Sequence, residues 1–258
     1  MCLIALAWRA HPQFELVLAA NRDEFHARRA APAAFWDSDP DIFGGRDLTQ
    51  GGGWLAVTRS GRFAAVTNVR RMLPPDPAAP SRGALVAGFL RSREAVGRFG
   101  ERLAAEADHY SGFNLLIGDG ERAAYLTNQA AFHYQELAPG LHGVSNAALD
   151  TPWPKLLRLR TGVQAWLADG RHDNGRLFEH LADEHPAADA DLPDTGVGRE
   201  LERFLSSPFI RGEHYGTRAS SIVTIPATGS IEFRERRFGP NGLPAGETVE
   251  RFERLDQP

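Results

Sequence analysis

A chain of 258 residues is long enough to bury a sizeable core, as one large domain or two small ones. Its 42% hydrophobic and 24% charged residues fit a globular protein, and no run approaches the roughly 20 apolar residues of a membrane-spanning helix. A net charge of −4 gives no basic field for nucleic acid, and the lone cysteine, Cys2, excludes a disulfide framework. Of the 29 basic residues only Lys155 is lysine, a bias that coding composition explains without a functional need.

Along the chain, strands give way to helices and then return. Residues 3–9 form a short apolar run closed by Arg9, His11 and Pro12; no basic residue precedes it, so it reads as a buried strand and not a secretory signal. A turn at 11–13 leads into a second strand over 14–20. Residues 27–53 read as loop, punctuated by Pro32, Pro40, Gly44, Gly45 and Gly51-Gly52-Gly53. A hairpin follows over 54–58 and 62–68, turning at Ser60-Gly61. A loop with Pro74, Pro75, Pro77 and Pro80 ends at Ser81, the expected N-cap of a helical region to about 109. In it Leu85, Val86, Phe89 and Leu90 make one apolar face, and Val96, Phe99 and Leu103 another.

Strands resume over 113–118, 123–128, 132–137 and 141–145. Helices are expected over 153–168, with Leu156, Leu157, Leu159 and Val163 buried, and over 175–181. Asp150 or Thr151 is the expected N-cap of the first, with Pro152 entering it. Residues 183–198, with Asp189, Asp191 and Asp194, read as a solvated, mobile loop, and 200–205 as a helical turn. Three strands close the chain, over 218–225, 231–238 and 248–255. There is no internal repeat and no clear linker, so one α+β layered domain over 1–258 is expected.

Cys2 carries the most chemical information. Removal of the initiator methionine is favoured when the next residue is small. It would leave a thiol and a free α-amine on one residue, with ordinary pKa values near ~8.5 and ~8. Such an amine can serve as base for the adjacent nucleophile. The competing reading is a small apolar core residue. Pairing the first two strands about a centre near residue 12 gives partners whose numbers sum to about 24, which sets Cys2 opposite Arg22. An arginine there favours thiolate, and Asp23 can orient the α-amine.

Met1-Cys2, the apolar strand with Trp8, and Asn21-Arg22-Asp23-Glu24 together resemble the NRDE family, also called Transport and Golgi organisation protein 2. The resemblance extends through Gly44-Gly45-Arg46-Asp47, Gly51-Gly52-Gly53-Trp54, Phe113-Asn114-Leu115, Ser145-Asn146, Asp150 to Lys155, and Tyr215-Gly216-Thr217-Arg218 with Ser220-Ser221. It implies an N-terminal-nucleophile (Ntn) hydrolase fold, a four-layer αββα sandwich. Penicillin V acylases and conjugated bile-acid hydrolases are the chemically understood relatives. By that likeness Cys2, Arg22, Asp23, Asn146 and Arg218 are the candidate catalytic residues. The acylases space the Arg and Asp further apart; here the two are adjacent and reach one site only if the strand ends or bulges there.

In these roles the Cys2 sulfur attacks a carbonyl and Asn146 donates to the oxyanion. Asp23 orients the amine, and Arg22 and Arg218 balance the charge. Asn146 has a second reading, as a strand-end turn residue. Asn21, Trp54 and Asn68 are candidate substrate-binding residues. Gly51-Gly52-Gly53 lacks the P-loop and dinucleotide patterns and reads as a turn or close backbone approach beside the site. The nine histidines show no metal spacing, and His11 and His26 are expected to flank the site.

Two functions follow. One is a cytoplasmic cysteine amidohydrolase acting on a small non-peptide amide or thioester, without a cofactor. The other is a non-catalytic carrier of the same fold, linked through the family to haem trafficking and lipid or acyl-CoA metabolism, with haem as candidate ligand.

Overall fold

The computed structural model describes residues 2–70 and 78–255. Two strands open the chain, β1 (Cys2–His11) and β2 (Phe14–Phe25), and β3 (Ala30–Trp36), β4 (Asp39–Asp47), β5 (Gly53–Thr58) and β6 (Phe63–Asn68) follow. Helices α1 (Gly83–Arg91) and α2 (Val96–Ala104) precede β7 (Phe113–Gly118), β8 (Ala123–Thr127), β9 (His133–Glu136) and β10 (Gly140–Val144). Helices α3 (Pro154–Ala168), α4 (Asn174–Leu181) and α5 (Arg199–Phe204) lead to β11 (Tyr215–Pro226), β12 (Ser230–Phe238) and β13 (Pro244–Glu253). One sheet runs β10-β1-β2-β11-β12-β13 and the other runs β3 to β9 in chain order; all pairings are antiparallel.

The strands of the first hairpin are apolar on both faces because both faces are covered. Alternation sends Ile4, Leu6, Trp8, Leu16 and Leu18 into a core between the sheets, where they meet Phe43, Leu55, Val57 and Phe63. The intervening Leu3, Ala5, Ala7, Val17 and Ala19 pack outward on Leu156, Leu159, Val163 and Phe178 of α3 and α4. On the far side Ala64, Leu115 and Ile117 pack on Leu85, Phe89, Phe99 and Leu103 of α1 and α2. Helix, sheet, sheet and helix form four layers, the expected αββα sandwich.

Several local expectations need correction. Residues 27–53 are mostly strand: β3 and β4 sit at one edge of the second sheet, where Gly44 is pressed so closely on Leu55 and Ala56 that a Cβ would collide. The helical region after Ser81 is two helices; Ser81 Oγ accepts from Gly83 N at 3.2 Å, but Arg82 occupies the cap position. Leu157 is exposed. Helix α3 enters at Pro154 after Trp153, not at Pro152. Asp150 caps nothing; at φ 57 its carboxylate turns back to accept from Gly143 N at 2.8 Å and to meet His142 and Arg160. Pro74, Pro75 and Pro77 lie outside the described residues. Residues 183–198 hold one turn of 3-10 helix, Asp189–Asp191, pinned by Arg203 through Asp189.

Both ring nitrogens of His142 face acceptors, Asp150 Oδ2 at 3.0 Å and the Ala138 carbonyl at 2.9 Å. Only the imidazolium donates to both, so the Asp150 hydrogen bond raises the His142 pKa against the opposing effect of burial. A pKa raised on folding adds stability that is complete below the unfolded value of about 6.5 and fades as pH rises through the folded value. The stability gap between the parent protein and His142→Gln, measured by urea unfolding, is therefore widest in acid and narrows toward pH 9; a gap that ignores pH contradicts this.

Candidate functional site

The site is set by where β1 begins. Cys2 pairs with Arg22 across β1 and β2, and the even-numbered face of both strands looks between the sheets. There a cavity of about 1280 Å³ opens, with Cys2, Arg22, Asp23, Trp54, Asn68 and Arg218 in its walls. Cys2 is 7% exposed, at the boundary between the apolar core and this cavity.

Adjacency of Arg22 and Asp23 is resolved by two irregularities. The β2–β11 register breaks between Thr217 and Ala219, so Arg218 is an extra residue opposite the Arg22-Asp23 step. Asp23 also lies one step beyond the Cys2–Arg22 pair in the register. Its Oδ1 accepts from Thr217 Oγ1 at 2.7 Å. Arg218 Nη1 donates to the carbonyls of Phe25 (2.9 Å), His26 (3.3 Å) and Arg28 (2.9 Å), and so holds the turn that follows β2.

Burial pushes the Cys2 thiol above its ordinary pKa, and Asp23 pushes the same way; Arg22 pulls it down. Burial likewise raises the Asp23 carboxyl, opposed by Lys155, Thr217 and Arg70. Lys155, in the first turn of α3, is fully buried and donates to the Leu205 carbonyl at 3.0 Å. Burial brings its pKa down to about 8 against the pull of Asp23. Next to it Arg70 forms a buried ion pair with Glu202 and lies 4.6 Å over the Trp153 ring. Tyr215 also lines the cavity, its hydroxyl held well above the ordinary pKa by burial and by Asp23.

Two predicted residues do not line the cavity. Asn21 faces the helix layer, where Nδ2 donates to the carbonyls of Leu181 (2.7 Å) and Pro208 (2.9 Å) and Oδ1 accepts from Ser220 at 2.6 Å. Asn146 is 1% exposed; its Nδ2 donates to Asn68 O at 3.1 Å and Asn68 Oδ1 at 2.9 Å. Ser145 Oγ lies within hydrogen-bond distance of both the Cys2 carbonyl (2.9 Å) and Asn146 Oδ1 (3.1 Å), which ties this loop to the nucleophile strand. Asn146 thus fixes Asn68, and Asn68 meets the cavity. The glycine triplet makes the expected close approach: Gly51 and Gly52 have φ of +73° and +76°, and a Cβ on Gly52 would strike the Gly83 carbonyl. His26 is near the site, but His11 is at the opposite end of β1, about 30 Å from Cys2 at about 3.3 Å per residue. Among the described residues no group of three or more His, Cys, Asp or Glu is placed to hold a metal ion.

The family model described as Transport and Golgi organisation 2 matches residues 1–240. The chain belongs to the Transport and Golgi organisation 2 family. The Transport and Golgi organization protein 2 homolog of Bos taurus is 35% identical, across 92% of this chain and 92% of its own. The Homo sapiens homolog is 33% identical, across 96% and 97%. Among solved structures, a mutant conjugated bile acid hydrolase from Clostridium perfringens superposes with a TM-score of 0.51 at 8% identity, over 98% of this chain and 92% of that one. At that identity the likeness concerns the fold, which is the Ntn-hydrolase fold.

Lys155, Arg70, Glu202 and Tyr215 were not among the candidates. A solitary lysine in the Trp-Pro-Lys entry to a helix was the available signal; nothing local marks Arg70 and Glu202, which meet only in the folded chain. Because that pair is almost fully buried, Arg70→Met leaves an uncompensated carboxylate and costs about 3–5 kcal/mol in chemical denaturation. Adding Glu202→Gln, which keeps an acceptor for Thr195, recovers part of the loss. A cost under about 1 kcal/mol for the single variant contradicts the assignment.

Proposed function

We propose that this protein is an N-terminal-cysteine amidohydrolase acting on a non-peptide amide or thioester in the cytoplasm. The observation that carries the reading is the placement of Cys2 on a cavity wall, paired with Arg22 and one register step from Asp23. Once Met1 is removed, the α-amine of Cys2 takes the thiol proton, and the thiolate forms a bond to the carbonyl carbon. Collapse of the tetrahedral species breaks the C–N bond, and the ammonium returns the proton to the leaving amine. Water, deprotonated by the same amine, then cleaves the thioester and releases the acid. A thioester substrate follows the same course with a thiol leaving.

In this reading Asp23 orients the ammonium and Arg22 lowers the cost of the thiolate. Asn68 is the oxyanion donor: its Oδ1 is engaged by Asn146, which turns its Nδ2 elsewhere, with one long contact to the Val69 carbonyl at 3.5 Å. Asn146 is then a positioning residue. Loss of one such donor costs about 10²–10³ in kcat in a measured protease.

The carrier reading has weaker support here. No histidine is among the described residues lining the cavity, and Cys2 and His11 are too far apart to ligate one haem iron. A reducing compartment suits a free thiol. Among the described residues no helix is long and apolar enough to cross a membrane.

Intact mass and limiting iodoacetamide test the proposal together. The mature protein lacks Met1, and Cys2 is alkylated with a pH midpoint below that of a form carrying an N-terminal extension. Arg22→Gln moves the midpoint up. Retained methionine, or the same midpoint with and without the extension, overturns the reading.

A further inference from the structure

Gly44 and Gly45 are adjacent but differ in what surrounds them. A Cβ on Gly44 would collide with Leu55 and Ala56. The nearest atoms to a Cβ on Gly45 would be Glu235 Oε2 at 3.2 Å, the Ala31 carbonyl at 3.6 Å and Trp54 Nε1 at 3.6 Å. Its φ is not positive, so the backbone at this position does not call for glycine. The missing side chain leaves a notch in the cavity wall, with the polar ends of Glu235 and Trp54 facing it.

Both of these atoms are buried and unused. Glu235, on β12, is 2% exposed. Its Oε1 accepts from Ala33 N at 2.9 Å and from Arg237 Nη1 at 3.3 Å, while Oε2 has no hydrogen-bond partner among the described residues. Trp54 is 9% exposed, and its Nε1 has none there either. A bulge directs it inward: Gly44 pairs with Ala56 and Arg46 with Gly53, so Trp54 and Leu55 together oppose Gly45, and both join the core between the sheets. Buried donors and acceptors are ordinarily paired, so an open donor beside an open acceptor points to a ligand group that supplies the complement of each. Burial pushes the Glu235 carboxyl above its ordinary pKa, and the Ala33 amide, Arg237 and Arg22 hold it down.

The register places the notch relative to the sulfur. Cys2, Arg22, Ala219 and Arg237 stand opposite one another on four neighbouring strands, which puts Arg237 about 14 Å from Cys2. Glu235 is two residues along β12 from that row, so it lies about 16 Å from Cys2 in the wall of the same cavity. We infer that the notch reads a carboxamide of the bound ligand: the amide carbonyl accepts from Trp54 Nε1, the amide N–H donates to Glu235 Oε2, and Gly45 lets the flat group come close. The two protein atoms are no more than about 7 Å apart, a span that one amide bridges with a hydrogen bond of about 3 Å at each end. The hydrolase reading makes this a second amide, remote from the carbonyl that Cys2 attacks; that placement rests on the reading, but the notch itself requires no turnover.

Cys2 is the only cysteine, so disulfide exchange attaches a probe to it alone. Alkyl disulfides ending in an N-methylamide or in the isosteric methyl ester, with tethers bracketing about 16 Å, compete with 2-mercaptoethanol at pH 8, and intact mass reads the captured fraction. At the best length the amide is captured about fivefold more than the ester, the worth of one hydrogen bond. Glu235→Gln, whose oxygen stays with Ala33 and Arg237, turns an N–H to the notch and removes the preference. Trp54→Phe removes the donor to the carbonyl that both probes share, so it lowers both captures by a similar factor. Gly45→Ala fills the notch and lowers both; should the buried glutamine fail to fold, this variant carries the test. No amide preference at any length, no capture at all, an unchanged preference in Glu235→Gln or unchanged amide capture in Gly45→Ala overturns the inference. Amide preference in a protein that keeps Met1 and turns nothing over leaves the notch standing and removes the hydrolase reading. Turnover without amide preference does the reverse.

Discussion

The antiparallel register of the first two strands is the constraint on which the site depends. It sets Cys2 against Arg22, and a slip of one residue would turn every side chain of β1 to the other face. Sulfur and guanidinium share the face toward the second sheet because Ile4, Leu6 and Trp8 are required there by the core. The burial that fixes the register is thus the same burial that delivers the sulfur to the cavity. It has an opposing effect: the low-dielectric surroundings that hold β1 in place raise the thiol pKa, and the arginine beside it works against that rise.

A second constraint comes from buried charge. Asp23, Lys155, Arg70 and Glu202 would each be expensive to bury alone, and they neutralise one another across β2, the start of α3, the end of β6 and α5. The cluster joins the first sheet, its helix layer and the chain after β6 at the point where the nucleophile strand starts. The Ser145-Asn146-Asn68 chain does the same from the other side, linking the Cys2 carbonyl to the cavity wall. The sulfur is therefore held between two polar networks, one of buried charges and one of hydrogen-bonded amide and hydroxyl groups.

Much of this was legible in the sequence, because it follows from alternation and turn chemistry. The pairing of Cys2 with Arg22 is arithmetic on a hairpin centred near Pro12, and the strand and helix order follows from hydrophobic period. What escaped depends on contacts distant in the chain. Glycines and prolines between 27 and 53 suggested loop, yet β3 and β4 use Gly44 and Gly45 to pack closely at a sheet edge. Asn21 and Asp23, two residues apart, separate into a structural and a site residue because β1 begins between their register positions. Asn146 was read as a donor to substrate when its amide is already committed to Asn68, a residue 78 positions earlier.

The most direct test is to mix trimmed protein with a thioester or non-peptide amide that it turns over, quench in acid within the first turnover and weigh the N-terminal peptide. The account predicts an increment equal to the acyl group on the peptide that begins with Cys2, absent when an extension blocks its α-amine. No increment on that peptide during turnover, or the same increment in the blocked form, would contradict it.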